Sequence, residues 1–124
     1  MTTYVLLAMI LFAIFLRYRS QKAQSIPMHN ISVSAVDQLI NNDKAILIDV
    51  RNPKEINRGK IGTPLEIELT TSIRKKLIEL DRNRKYIVYC QSGGRSVVAS
   101  KIMLGMGFAD VNNLLGGYSA WTKR

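Results

Sequence analysis

The chain has 124 residues, a formal net charge of +9, 47% hydrophobic residues and one cysteine. That length holds one domain of about 100 residues plus an appendage, and a core of that size folds without covalent staples. A lone cysteine excludes an intramolecular disulfide and a cysteine-based zinc site and suits a reducing compartment; no metal or other cofactor is expected.

Tyr4 to Leu16 carries no charge, and counted from Met1 the uncharged run is sixteen residues, which as helix covers ~24 Å. This is slightly short of the ~30 Å hydrocarbon core, a gap that Arg17, Tyr18 and Arg19 can close by snorkelling at the interface. A secretory signal would place its charges before the run and a small-residue cleavage site after it, whereas here the charges follow. Residues 1–19 therefore read as a single-pass membrane anchor, and the positive-inside rule puts the N-terminus outside and the rest in the cytoplasm. Ser20 to Asn30, with Pro27, reads as a linker, and the domain follows over 31–124. The single histidine, His29, falls beside this tether, which disfavours a Cys-His or Ser-His catalytic pair.

Ile31 to Val33 is predicted as a brief first strand. A helix then starts at Ser34-Ala35-Val36-Asp37, with Val36, Leu39 and Ile40 as its apolar face, and ends at Asn41-Asn42-Asp43. Ala45 to Val50 is apolar apart from Asp49, as in a strand covered on both faces. Asn52 and Pro53 open a short helix that Gly59 closes. Leu65 to Leu69 alternates as a strand with one wet face, and Thr70 to Leu80 forms a helix facing the sheet through Ile73, Leu77 and Leu80. The cations Arg74, Lys75, Lys76, Arg82, Arg84 and Lys85 read as a solvated helix face and turn. No aromatics are interleaved with basic residues in the manner of a single-strand binder and no DNA-binding motif is present, so nucleic acid is not an expected partner.

Tyr86 to Cys90 is a strand that runs into Gln91-Ser92-Gly93-Gly94 and restarts at Arg95-Ser96 as a helix, whose buried stripe is expected at Val98, Ile102 and Met106. Gly107 stops that helix and Phe108 packs back. Val111 to Leu115 is a last strand, Gly116-Gly117 a tight turn, and Tyr118 to Trp121 starts a terminal helix whose tryptophan covers the core. Strand and helix alternate about five times, the pattern of a mostly parallel α/β sheet with helices on both faces, whose ligands gather at the carboxyl ends of the strands. Asp49, Arg51 and Cys90 fall at such ends.

A loop between strand and helix can turn its amides inward as an anion-binding nest, reinforced by the positive end of the helix dipole. A sulfur at the centre of that ring is favoured as thiolate. Cys90 is thus a candidate nucleophile, and Arg95 brings a full positive charge for a bound oxyanion.

Four stretches in order, Ile48-Asp49-Val50-Arg51-Asn52-Pro53-Lys54-Glu55, Cys90-Gln91-Ser92-Gly93-Gly94-Arg95-Ser96, Gly107-Phe108 through Val111, and Leu115-Gly116-Gly117-Tyr118 through Trp121, resemble the rhodanese family of sulfurtransferases in its single-domain form. The resemblance implies the three-layer rhodanese fold with about five strands, and a Cys90 that takes sulfane sulfur from a donor such as thiosulfate, becomes a persulfide, and passes the sulfur to a thiol, cyanide or a protein acceptor. It implies that the amides of Gln91, Ser92, Gly93, Gly94 and Arg95 bind the substrate sulfur, with Arg95 balancing charge. Asp49 and Arg51, matching the family's Asp-x-Arg stretch, are expected as a polar brace. Attack on sulfur by a preformed thiolate needs no general base.

Cys90 and Arg95 enclose four residues, the sulfur-sized loop of rhodaneses, where related phosphatases and arsenate reductases carry five. The chain departs from the family at Lys60 and at Ile61-Gly62-Thr63-Pro64, where His and Ile-Pro-Gly-Ala are usual. Two other readings compete with the sulfurtransferase: a rhodanese-like module that docks a membrane or sulfur-relay partner with little turnover, and a redox sensor in which Cys90 is oxidised to sulfenic acid.

Overall fold

Residues 2–22 and 28–124 are described here, from a computed structural model. Helix α1 runs Thr2–Lys22, past the anchor boundary expected at residue 19, and its stretch Thr2–Ser20 is long and apolar enough to cross a membrane, with none of it buried against the rest of the chain. Of the predicted linker 20–30, residues 23–27 with Pro27 lie outside the described residues, while 20–22 end α1 and 29–30 belong to the first strand.

The domain runs β1 (His29–Ile31), α2 (Val33–Asp43), β2 (Ile46–Asp49), α3 (Pro53–Asn57), β3 (Leu65–Glu66), α4 (Ile73–Leu77), β4 (Lys85–Tyr89), α5 (Gly94–Gly105), β5 (Asp110–Leu114) and α6 (Gly117–Thr122). Its five strands form one all-parallel sheet in the order β1-β5-β4-β2-β3. The first strand lies two residues earlier than expected, because Ser32 is the extended N-cap of α2 and the helix begins at Val33. Asp37 is consequently beyond the first turn and meets Arg124 at 3.3 Å.

Strand β4 shows why the sheet is covered twice. Tyr86, Val88 and then Cys90 point into a cluster with Ile73, Leu77, Ala99, Met103 and Phe108. Ile87 and Tyr89 point the other way, into Val36, Leu47, Ile61 and Leu114, over which Tyr118 and Trp121 close. Burying each large apolar side chain stabilises the fold by about 1.5–3 kcal/mol, and neither cluster draws on α1.

Two expected packing patterns are corrected. On α5 the buried residues are Ser96, Ala99, Ser100 and Met103, while Val98 is 49% exposed and Ile102 and Met106 are half-buried. Small side chains at the sheet-facing positions let α5 lie close on β4 and β5, which rotates the larger residues outward. The predicted Thr70 to Leu80 helix contracts to Ile73–Leu77, because Thr70 to Ser72 form a turn in which Thr70 Oγ1 accepts the Ser72 amide. Leu65, expected inward, is 38% exposed at the sheet edge, although Ile67 and Leu69 still donate to the carbonyls of Asp49 and Val50. At the end of α5 the amides of Phe108 and Gly107 return to the carbonyls of Met103 and Leu104, the paired closure that Gly107, at φ 93°, permits.

Candidate active site

Strands β4 and β2 are neighbours, and the connections leaving them run to opposite sides: β4 leads through α5 to β5, β2 through α3 to β3. The loops leaving their carboxyl ends therefore diverge at a switch point, where the crevice of such a sheet opens. Cys90 ends one strand and Asp49, followed by Arg51, ends the other. The structure brings together all the residues singled out there: Cys90, Gln91, Ser92, Gly93, Gly94, Arg95, Asp49 and Arg51.

The sulfur sits inside its own loop. Gly93 N–H donates to Cys90 Sγ at 3.0 Å, and Ser96 Oγ lies 3.4 Å from it. Gly93 takes φ +107° to aim that amide inward, a conformation other residues rarely adopt. Burial pushes the Cys90 thiol up, but the Ser96 hydroxyl and the amides of Ser96, Gly93 and Ser92 outweigh it, and the group titrates below its ordinary value. The loop's carbonyls are held outward from the opposite side: Tyr118 and Ser119, in the first turn of α6, donate to the carbonyls of Cys90 and Gln91 at 2.8 and 2.9 Å. A peptide plane whose C=O is fixed outward turns the N–H of the next residue inward. Helix α6 approaches this closely because residue 117 is glycine at φ +58°; a Cβ there would strike the Cys90 carbonyl oxygen.

Beside the loop stands a second layer of polar contacts. Arg51, 1% exposed, binds fully buried Asp49 through Nε and Nη2, the latter at 2.7 Å, and its remaining N–H groups reach the carbonyls of Glu55 and Gly59 and Gln91 Oε1. Its guanidinium also faces the Tyr118 and Tyr89 rings at 4.4 and 5.6 Å. Gln91 is tied at both ends of its amide, the nitrogen donating to Ser119 Oγ at 3.1 Å. The atypical segment from Lys60 to Pro64 is pinned by Ile61, which is buried and donates its amide to Tyr89 Oη at 3.1 Å, while Lys60 turns 3.7 Å from Glu66.

Arg95, expected to balance charge at the loop, also has a carboxylate partner. Its two terminal nitrogens hold the Glu55 carboxylate in a bidentate pair at 2.7 and 2.8 Å. Glu55 is itself fixed, since its side chain accepts the Asn52 amide while Asn52 accepts that of Glu55, a reciprocal capping box on α3. The Arg95 pair, opposed by burial and aided by the backbone at Asn52, lowers the Glu55 carboxyl from 4.5 to about 2.

Sequence reasoning missed Glu55, Ser96, Asn113 and Tyr118 as parts of this site. Ser96 Oγ lies 2.6 Å from Asn113 Oδ1, and Asn113 Nδ2 donates to Asn30 Oδ1 at 3.2 Å. The signal for Asn113 was present: Asn112 and Asn113 interrupt an otherwise apolar central strand, and polar groups there are retained only with partners. Among the described residues no cluster of metal-ligating side chains occurs.

Comparison with known proteins agrees with this geometry. Residues 32–124 match the rhodanese-like domain. The chain belongs to that family. A sulfurtransferase of Allochromatium vinosum is 33% identical over 92 residues, covering 74% of this chain and 85% of its own length. A putative sulfurtransferase of Bacillus subtilis is 36% identical over 92 residues, covering 73% and 87%. The crystal structure of a rhodanese-related protein from Thermoplasma volcanium superposes with a TM-score of 0.69 at 27% identity, over 77% of this chain and 91% of that one. The sheet of five parallel strands between helices is thus the rhodanese-like fold, and sulfur transfer is the activity of its named relatives.

Proposed function

We propose that this rhodanese domain carries sulfane sulfur as a persulfide on Cys90, from a small donor such as thiosulfate to a thiophilic acceptor. The observation that supports this best is Cys90 Sγ at the focus of a loop with four residues before Arg95, accepting the Gly93 amide at 3.0 Å. In the first step the Cys90 thiolate attacks the outer sulfur of the donor; the sulfur–sulfur electron pair leaves with sulfite and the Cys90 persulfide anion remains. In the second step the acceptor, cyanide or a thiolate, attacks the terminal sulfur and the Cys90 thiolate is restored. The inward amides stabilise negative charge on either sulfur, and no proton has to be abstracted.

Helix α1 is the membrane segment in this reading, with the N-terminus outside and the domain in the cytoplasm, where a protein acceptor would meet it. Arg17, Arg19 and Lys22 follow the apolar run on the side that the positive-inside rule assigns to the cytoplasm.

The test is intact-mass spectrometry of the full chain in detergent after incubation with thiosulfate or cysteine persulfide, with Cys90→Ala alongside. A gain of one sulfur atom that cyanide removes and the variant lacks is expected. Absence of any such adduct with both donors overturns the proposal.

A further inference from the structure

Each of the two arginines beside the sulfur loop has its charge matched by a carboxylate. Arg51 spends its guanidinium on Asp49, Gln91 and two carbonyls, and Arg95 spends both terminal nitrogens on Glu55. Two positive charges are matched by two carboxylates within hydrogen-bond distance, and the Glu55 carboxylate cannot swing away without also giving up the Asn52 amide. What stands beside Cys90 without a counter-charge is the loop's own set of N–H groups, of which Gly93 donates to the sulfur.

A thiosulfate dianion approaching the Cys90 thiolate meets repulsion scaled to both its charges, and the Arg95 charge that would offset it is countered by the Glu55 carboxylate. A thiol persulfide such as cysteine persulfide carries one net negative charge and is repelled half as strongly. Resting on the sulfur-carrier reading above, we propose that Glu55 is the donor-specificity residue of this site: by occupying Arg95 it selects thiol persulfides over thiosulfate. The reaction is Cys90 thiolate plus persulfide giving Cys90 persulfide plus the donor's thiolate, with one sulfur–sulfur bond formed, one broken and charge conserved. The class of reaction that must supply the substrate is then one that leaves sulfur on a thiol.

Glu55→Gln tests this, because glutamine at that position keeps the capping box while removing the charge. Freed Arg95 is expected to raise kcat/KM for thiosulfate about tenfold and for cysteine persulfide about threefold, the logarithm scaling with donor charge. The thiosulfate gain acts through KM and fades as salt is added. A second variant, Glu55→Gln with Arg95→Gln, is expected to lose the gain. Equal changes for both donors, a loss for both, or a gain that survives in the double variant overturns the inference while leaving the persulfide carrier standing. Failure of the unsubstituted chain to accept sulfur from either donor overturns the carrier reading and this inference with it.

Discussion

Ser96 stands between Cys90 and Asn113, its hydroxyl 3.4 Å from the sulfur and 2.6 Å from the amide oxygen. A hydroxyl has one proton, and the thiolate, the Asn113 oxygen and the Gly93 carbonyl at 3.2 Å compete for it. While Cys90 is a thiol, its S–H can donate to Ser96 as Ser96 donates to Asn113. Once Cys90 ionises, the Ser96 proton must turn toward sulfur at the expense of the shorter bond.

Opposite shifts follow for the two partners. Ser96→Ala removes the donor and is expected to raise the Cys90 thiol pKa; Asn113→Val removes the nearer of the two competing acceptors and is expected to lower it. A hydrogen bond to a charged group is worth about 1.5–3 kcal/mol, about one to two pKa units, so alkylation of Cys90 below its pKa should slow roughly ten- to a hundredfold in the first variant and quicken in the second. Ultraviolet titration of the thiolate checks both directions, and a shift of the same sign in both variants contradicts the competition.

Glu55 makes stability pH-dependent in acid. Its carboxyl falls from 4.5 to about 2 on folding, so its contribution is complete above pH 4.5 and is lost as the pH drops through about 2. With Arg95 40% and Glu55 20% exposed, solvent screening reduces the contribution to about 1–2 kcal/mol. Urea unfolding at several pH values between these limits should show a slope that Glu55→Gln lacks.

Arg51→Ala leaves the Asp49 carboxylate buried without its counterion and should cost about 3–5 kcal/mol in urea unfolding. Arg51→Lys restores the charge but not the planar fork that reaches Asp49, Gln91 and the two carbonyls together, so it should recover only part of the loss. Full recovery by lysine would show that charge alone matters there.

Gly117→Ala puts a Cβ against the Cys90 carbonyl at a φ of +58°. The expected cost is about 2 kcal/mol or more, together with loss of sulfur loading, because the carbonyl that α6 holds outward is pushed from its place. Thermal unfolding and intact mass read the two effects separately.

For α1, the full chain should remain with lipid vesicles after alkaline extraction. Leu7→Arg with Leu11→Arg, each adding about 2.5–3.5 kcal/mol to insertion near the middle of the apolar run, should release it. Release of the unsubstituted chain by alkali alone would argue against a spanning helix.

Much of the sheet was legible in the sequence because its strands are continuous apolar runs ended by punctuation: Tyr86 to Tyr89 stops at a cysteine and two glycines, and Asn52-Pro53 announces α3 with its cap. The face of α5 was not. Periodicity weighs large apolar residues, and Val98, Ile102 and Met106 have the right spacing, but the sheet contact is made by Ser96, Ala99 and Ser100 with Met103. Polarity at Ser96 has a local cause in the sulfur it faces, which no hydropathy pattern encodes. The partner of Arg95 was hidden for a different reason: Glu55 lies forty residues upstream, and only the parallel pairing of β2 with β4 brings α3 to the mouth of the loop. An arginine beside a nest reads as an anion ligand, and its carboxylate partner shows only once the strands are paired.

All five strands run the same way, and the chain enters the sheet at the start of β1 while Cys90 lies beyond the end of β4. The start of β1 and the Cys90 sulfur thereby lie at opposite poles of the sheet. In the anchored reading proposed above, a grip on the N-terminal helix would reach the domain from the pole opposite the sulfur and leave that sulfur open to an acceptor.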